Sequence, residues 1–380
     1  MDELISQQVN NILASARHKE QTNDVTQALE SCVSSICQVS GIERNEAKIC
    51  AYDAAATFRQ EEKEVSSGLT ILGPTSTGKS QILQKLHDYC YRASDKDGEI
   101  ISAKYQSFPT VRDDVLEALA NGAQTIIVDE ADHCLGSRKL EEFIFSSYER
   151  STAKGSIKRA QSDGTWQTER IDIFVPFIES RRSAHLDAAN ASRATIVETH
   201  FLKGVNLPMA NAIESPDAEK MTEIKNIELP ESITRPSGIA SRIWNNWKMR
   251  LRIVSALGDA EWIAWAIERM RSDTELLSDG GSYEPQVAMF GSLIASLSKK
   301  GSGDYHSVKI SSIVDTLRRE YGIEKSNMAV SGQLKRLGIE VHVCGGVNRA
   351  LPSDETIRKG TDTLGLDGEF LSRDEDKRKM

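Results

Sequence analysis

The residues Gly73-Pro74-Thr75-Ser76-Thr77-Gly78-Lys79-Ser80 fit G-x-x-x-x-G-K-[ST], the phosphate-binding P-loop. The chemistry is anion capture. Backbone N–H groups wrap a phosphate, and the helix that follows points its positive dipole end at it. Lys79 is the residue expected to reach the β- and γ-phosphates, and Ser80 to ligate Mg²⁺. A second cluster, Asp129-Glu130, ends the apolar run Ile126-Ile127-Val128 and falls 49 residues after Ser80. There Asp129 is expected to hold the hydration shell of Mg²⁺ and Glu130 to polarise an attacking water, as phosphoryl transfer requires. ATP and Mg²⁺ are therefore the expected cofactors.

Arginines and lysines supply the remaining candidates. Arg193 precedes the β-prone run Ala194-Thr195-Ile196-Val197. In a ring ATPase an arginine so placed reaches the γ-phosphate held by a neighbouring subunit and offsets charge in the transition state. Arg181 and Arg182 are the other candidates for that role. Arg242, on a later helix, is either a nucleotide sensor or a surface charge. Lys154, Lys158 and Arg159 lie on a hairpin signalled by Asp163-Gly164 between two strand-like runs. They would meet DNA phosphates if the hairpin faces a ring channel, and are ordinary surface charge if it does not. The turn Ser162-Asp163-Gly164 offers neither a basic nor an aromatic residue.

The elements that must position these groups follow in order. Gly68 to Leu72 reads as a strand, and Gln81 to Cys90 carries apolar residues at helical spacing. Glu99 to Ala103 reads as a strand and Val111 to Ala120 as a helix. Leu140 to Tyr148 reads as a further helix, and Ile171 to Ile178 as a core strand. Ser192 to Thr199 reads as the fifth strand of the core, and Asn206 to about Pro230 as a connector. Pro236 to Met270 is helical, with a break at Gly258-Asp259. Residues 1 to about 65 are helical and polar, with Val25, Leu29, Val33 and Ile36 on one side. They are read as a packing extension or an assembly collar.

After the linker Ser278 to Ser282, the segment 283–352 reads as three helices and two strands, a winged helix. Its formal charge is +3, against −9 for the whole chain. That contrast supports DNA contact through Gln333, Lys335 and Arg336 of the third helix and Arg349 of the wing, with protein contact as the other reading. The tail 353–380 is charged and expected to be disordered.

Composition bounds the rest. With 380 residues, two or three domains are expected. No run of 18 apolar residues is present, so no membrane span is expected. The first residues, Met1-Asp2-Glu3-Leu4, do not read as a signal peptide. Six cysteines form no C-x-x-C pair, which reads as reduced thiols in a cytoplasm rather than a metal site. Asp129-Glu130-Ala131-Asp132 spells the DEAD-box letters, but no second RecA-like domain follows.

In the order P-loop, Asp129-Glu130, hairpin, strand to Ile178 and Ser192-Arg193, the chain resembles an AAA+ ATPase of the presensor-1-hairpin group. More narrowly, it resembles an uncharacterised AAA family found with phage and mobile-element replication functions. That family shares a lid like Arg242-Ile243-Trp244-Asn245-Asn246-Trp247 and a C-terminal winged helix. The resemblance covers about residues 66 to 352. It implies an α/β fold: an AAA+ P-loop core with a parallel sheet (66–205), an α-helical lid (206–277) and a winged helix (283–352), preceded by a helical extension (1–65). Sensor 1, usually Asn, Thr or Ser, would fall on Ser180, with Glu179 beside it. The implied protein is a homo-oligomer, a hexameric ring hydrolysing ATP between subunits and acting on DNA, helicase-like, with replication or mobile-element partners. The alternatives are an ATP-switched assembly factor (a helicase loader, target selector or defence component) and a transcription regulator.

Overall fold

The computed structural model describes residues 3–13, 23–93, 98–103, 108–131, 146–182, 192–200, 206–278, 286–298, 307–321, 325–337, 339–353 and 355–357. Asp132, the segment 140–144, Ser183 to Ala191, the linker Asp279 to Ser282 and the tail from 358 lie outside the described residues.

The chain is mixed α/β. Five parallel strands form the central sheet: β1 (Gly68–Leu72), β2 (Ile101–Ser102), β3 (Ile126–Asp129), β6 (Phe177–Arg181) and β7 (Ala194–Glu198). Their order is β2-β3-β6-β1-β7, so the strand carrying Ser180 lies between the P-loop strand and the strand ending in Asp129. Strands β1, β3 and β7 are mostly apolar because both faces are covered, whereas β6 buries Glu179, Ser180 and Arg181 after Phe177 and Ile178.

Successive side chains leave a strand on opposite sides. On one side Leu69, Ile71, Ile127, Ile178 and Val197 share a core with Ile82, Leu83 and Leu86 of α4 (Lys79–Tyr89). On the other, Ile126, Val128 and Phe177 pack with Val111, Val115 and Ala118 of α5 (Phe108–Ala120).

The first core extends well beyond α4. It takes in α1 (Glu3–Leu13), α2 (Asn23–Ser40) and α3 (Arg44–Thr57), together with α6 (Ser241–Leu257) and α7 (Ala260–Ser278). Val25, Leu29, Val33 and Ile36 are all buried there, as are Trp244, Trp247 and Trp262. The polar N-terminal helices are thus part of the same apolar body as the P-loop strand. An ion pair fixes the stack: Arg250 donates to both Asp53 oxygens at 2.8 and 2.7 Å and to Thr195 Oγ1 at 2.8 Å. It joins α3, α6 and β7 in one contact.

Helix α6 starts at Ser241 rather than at Pro236, because Gly238 takes a left-handed φ of +79° and Ala240 caps the helix in an extended conformation. It stops where the sequence indicates, at Gly258, whose φ is also +79°. A left-handed residue closes a helix by turning its amide back on the last carbonyls. Asp259 then accepts from the Trp262 amide at 3.1 Å and opens α7, which runs past Met270 to Ser278.

Strands β4 (Lys154–Ala160) and β5 (Trp166–Asp172) form a separate antiparallel ribbon. Further along, α8 (Gln286–Ser298), α9 (Ile310–Tyr321) and α10 (Asn327–Arg336) surround a core of Phe290, Leu293, Ile313, Leu317 and Leu334. With them goes an antiparallel sheet of β8 (Val308–Lys309), β10 (Val347–Leu351) and β9 (Glu340–Cys344), in that order. The β9–β10 turn places Gly345 and Gly346 at φ +59° and +77°, as a two-residue hairpin requires. Among the described residues no helix is long and apolar enough to cross a membrane.

Candidate nucleotide site

The P-loop leaves the end of β1 under tight constraint. The Gly73 amide donates to the Arg181 carbonyl at 3.1 Å, and a Cβ on Gly73 would stand 2.2 Å from Thr199 Oγ1. Thr199 also shares a hydrogen bond with Thr77 at 2.6 Å. The end of β7 therefore grips both limbs of the loop. Ser76 and Gly78 take left-handed φ values of +65° and +84°, so the chain reverses and α4 begins at Lys79. Gly78 abuts the end of α2, where a Cβ would lie 2.8 Å from the Val39 carbonyl. Lys79 Nζ donates to the Pro74 carbonyl at 2.6 Å, which holds the ammonium across the loop.

A cavity of about 290 Å³ opens on this loop, close to the lower end of ligand-site volumes, roughly 300 Å³. Its floor is Thr75 to Gln81, the start of α4 with its unbonded first-turn amides. Glu130 and Arg182 line it as well, together with the apolar Val39, Leu207, Pro208 and Met209. The lining thus combines charged with apolar groups.

Asp129 and Glu130 are held by Ser180. Its hydroxyl donates to Asp129 Oδ1 and accepts from the Glu130 amide at 2.9 Å. That amide also points at Asp129 Oδ1, at 2.9 Å. Glu130 itself takes φ +53°, a left-handed conformation that costs an ordinary residue about 1–3 kcal/mol and clusters at functional sites. The turn swings its side chain off the strand axis and into the cavity. Glu179, next to Ser180, faces the other way. It accepts from Thr70 Oγ1 at 3.0 Å and pairs in bidentate fashion with Arg181 at 2.8 and 3.0 Å, both buried.

The structure thus brings together Gly73, Pro74, Thr75, Ser76, Thr77, Gly78, Lys79 and Ser80 with Asp129, Glu130 and Ser180. It separates the arginines. Arg181 is fully buried against Glu179 and presents nothing to a neighbour, whereas Arg182 lines the cavity of its own chain. Arg193 lies at the opposite end of the strands, before the start of β7. Strands β1 and β7 are parallel, with Gly68 beside Ala194, so Arg193 is a strand's length, about 13 Å, from the loop. Its guanidinium sits 5.6 Å from the Tyr148 ring centre. Arg242 is at that same far end, donating to Ser192 Oγ at 2.9 Å. Nothing places Arg242 beside the P-loop of its own chain, because α6 runs along the start of β7 rather than over its end. Asn246, one turn on, bonds the Ser192 carbonyl and the Tyr148 hydroxyl, each at 2.9 Å.

The hairpin cations are partly spoken for. Lys154 meets Asp172 at 3.5 Å, and Arg159 meets Glu169 at 2.9 Å and Glu117 at 3.6 Å. Lys158 is exposed. An aromatic side chain does stand beside the turn, contrary to the reading of Ser162-Asp163-Gly164 alone. Trp166 pairs with Ala160 across the ribbon and is 68% exposed. On α10, Gln333 is half-buried and Lys335 exposed; the side chain of Arg336 lies outside the described residues. Arg349 donates to Ser307 Oγ at 3.0 Å. The most exposed large apolar groups of this region are Met328 on α10 and Val343 on β9, 83% and 70% exposed.

Sequence reasoning passed over Val39, Thr199 and the Leu207-Pro208-Met209 edge. None carries a motif, and each reaches the loop only through tertiary packing. No protein-family model matches this chain, and no curated protein matches it. Solved structures of the "NrS-1 C terminal region" are similar over 90% of this chain and 77–78% of theirs, at 12–13% identity with TM-scores of 0.30 to 0.36. A likeness of that size carries no argument about what this chain does.

Proposed function

We propose that this chain is an ATP-hydrolysing AAA+ motor that acts on DNA as a ring, in phage or mobile-element replication. The observation that carries the ATPase reading is the Ser180 bridge. One hydroxyl fixes both Asp129 and the strained Glu130 at the mouth of a P-loop cavity, an arrangement a merely structural strand end has no use for. ATP fits the donor set: amides and Lys79 for phosphate, and the Val39 and Met209 edges for the base. Mg²⁺, held by Ser80 and Asp129, would neutralise phosphate charge. Glu130 would accept a proton from the attacking water, and Arg182 would lie beside the same phosphates.

The ring reading draws on the far end of the strands. Arg193, held by the Tyr148–Asn246–Ser192 network, is out of reach of its own P-loop and suits the site of a second copy. Arg242 joins it there, so the sensor role from the chain's own lid is replaced by a place beside Arg193. In this reading α6 and α7 are the lid and 286–357 the winged helix. Exposed Met328 and Val343 favour a second use of that last unit, protein contact, and with it the alternative of an ATP-switched assembly factor.

The test is catalytic. Lys79→Ala is expected to abolish ATP binding, whereas Glu130→Gln is expected to keep binding and lose turnover. Subunits carrying Arg193→Ala, mixed with Glu130→Gln subunits, are expected to regain part of the ATPase rate, since some interfaces then hold an intact Glu130 and an intact Arg193. Full turnover in Glu130→Gln would remove the base assignment. Absence of rescue between mutants that still assemble would remove the shared site.

A further inference from the structure

A second cavity, of about 100 Å³, lies between α3, the segment 62–67 and α6. It shares no lining residue with the cavity on the P-loop. Its walls are charged, and most of the charges are matched. Arg250 pairs with Asp53 at 2.7 Å, Arg252 with Glu62 at 3.1 Å, and Lys248 with Glu64. Glu62 also meets Arg59, at 2.6 Å. Lys63 is the exception. It lines the cavity half-buried, and among the described residues its side-chain nitrogen makes neither a hydrogen bond nor an ion pair.

We propose that this cavity is a modification site, in which the Lys63 amine takes up carbon dioxide as a carbamate. The proposal goes beyond the ATPase reading and does not depend on it. Three observations carry it.

The first is the missing counter-ion. Taking an ammonium out of water without a partner favours the neutral amine, and the neutral amine is the nucleophile. Burial pushes Lys63 down to about 8; Asp53 pulls the other way, and Arg250 offsets part of that pull. The nearby Cys90 thiol is itself pushed up by burial and stays uncharged.

Size is the second. Sites for drug-sized ligands and cofactors begin at roughly 300 Å³. A water takes up about 30 Å³, so this cavity has room for a molecule of a few heavy atoms. Carbon dioxide is that small, and it carries no charge to desolvate on entry.

The third is what would hold the product. Asn245 lines the cavity, and among the described residues its side-chain amide is unengaged, so its N–H groups can serve a carbamate oxygen. The Lys248 ammonium and the Arg252 guanidinium have more donors than their carboxylates take. Two arginines on Glu62 leave a surplus positive charge there, which a carbamate anion offsets. Glu231, the remaining carboxylate of the lining, is exposed to water.

The step balances without an oxidant or a leaving group. The amine lone pair forms the N–C bond, one C=O π pair moves onto oxygen, and the nitrogen gives a proton to solvent.

The test traps the adduct. Full-length protein is equilibrated with isotope-labelled bicarbonate and carbon dioxide at a pH near the Lys63 value. A trialkyloxonium salt then esterifies carbamates, and the digested protein is mapped by mass. An ordinary exposed lysine holds roughly a hundredfold less neutral amine at that pH. Labelled ester on Lys63 is therefore expected to exceed that on exposed Lys158 by about tenfold or more. Lys63→Arg keeps a cation in the cavity and is expected to remove the labelled peptide without raising label elsewhere. Equal label on Lys63 and Lys158, or none on Lys63, overturns the proposal. A melting temperature that rises with bicarbonate at constant ionic strength, but with no ester on Lys63, would mean a bound anion instead and overturns it too.

Discussion

At the residue scale the site turns on the Ser180 hydroxyl, at the position where the resemblance puts sensor 1. Ser180 bonds the Asp129 carboxylate and the Glu130 amide at once, and it is buried, so Ser180→Ala takes a donor from Asp129 and leaves the Glu130 amide with Asp129 Oδ1 as its acceptor. Hydrogen bonds to charged groups contribute about 1.5–3 kcal/mol. If that stabilisation is realised in the transition state, turnover falls about ten- to hundredfold. Nucleotide affinity, set by the loop amides and Lys79, should barely move. ATPase rates beside a nucleotide-binding titration separate the two, and parallel losses in both would show Ser180 to be structural rather than positioning. Part of this was legible in the sequence. Gly73 to Ser80 are consecutive, so their chemistry survives without a fold, and Asp129-Glu130 ends an apolar run. Ser180 was readable as a polar residue at a strand end, where the resemblance puts sensor 1, but its two bonds were not. The left-handed turn at Glu130 was not readable at all, because it arises from the two acceptors that trap its amide.

At the element scale, the sequence displays periodicity and hides orientation. Helix α6 was legible from Ile243, Trp247 and Leu251, and its stop from Gly258. Which way its polar stripe faces was not, since Arg242, Asn246 and Arg250 find their partners 50 or more residues away, on Ser192 and Asp53. That stripe lashes the helix to the start of β7, and so fixes the segment carrying Arg193. Its strongest tie is the buried Arg250–Asp53 pair. Breaking one partner of such a pair typically costs about 3–5 kcal/mol, because the other charge stays buried without its counter-ion. Asp53→Ala should therefore lower the free energy of unfolding by about that amount, read as a drop in the urea midpoint. A variant replacing both residues with apolar ones should recover much of the loss. A single mutant as stable as the parent would mean that water reaches Arg250 and the tie is weaker than its geometry suggests. The ribbon shows the same limit in reverse. Asp163-Gly164 marked a turn, but the loop runs from Gln161 to Thr165, so Trp166 is the first paired residue and its outward face follows from the register.

At the scale of the whole molecule, the N-terminal helices decide what counts as one body. Read as sequence, residues 1–65 leave open a collar for assembly or a packing layer, because amphipathic spacing shows that a face is buried and not against what. In the structure Val25, Leu29, Val33 and Ile36 share a core with Ile71, Leu83 and Trp247, and the last turn of α2 rests on Gly78. Two consequences follow from that placement. A chain beginning at residue 66 would expose the apolar sides of α4 and α6 that α2 and α3 now cover. At roughly 25 cal/mol per Å² of apolar surface, uncovering even a few hundred Å² removes several kcal/mol, a large share of the 5–15 kcal/mol by which domains are stable. The truncated chain should therefore aggregate or unfold well below the parent's melting temperature. A subtler variant isolates the second consequence: Val39→Ala trims the buried apolar wall behind the cavity and leaves Lys79, Asp129 and Glu130 untouched. It should weaken ATP binding while binding of inorganic triphosphate, which has no base, stays near the parent value. A stable, nucleotide-binding 66–380 fragment would instead show the N-terminal helices to be a detachable collar. Equal loss of ATP and triphosphate binding would place the effect of Val39 in the loop's shape rather than in contact with the base.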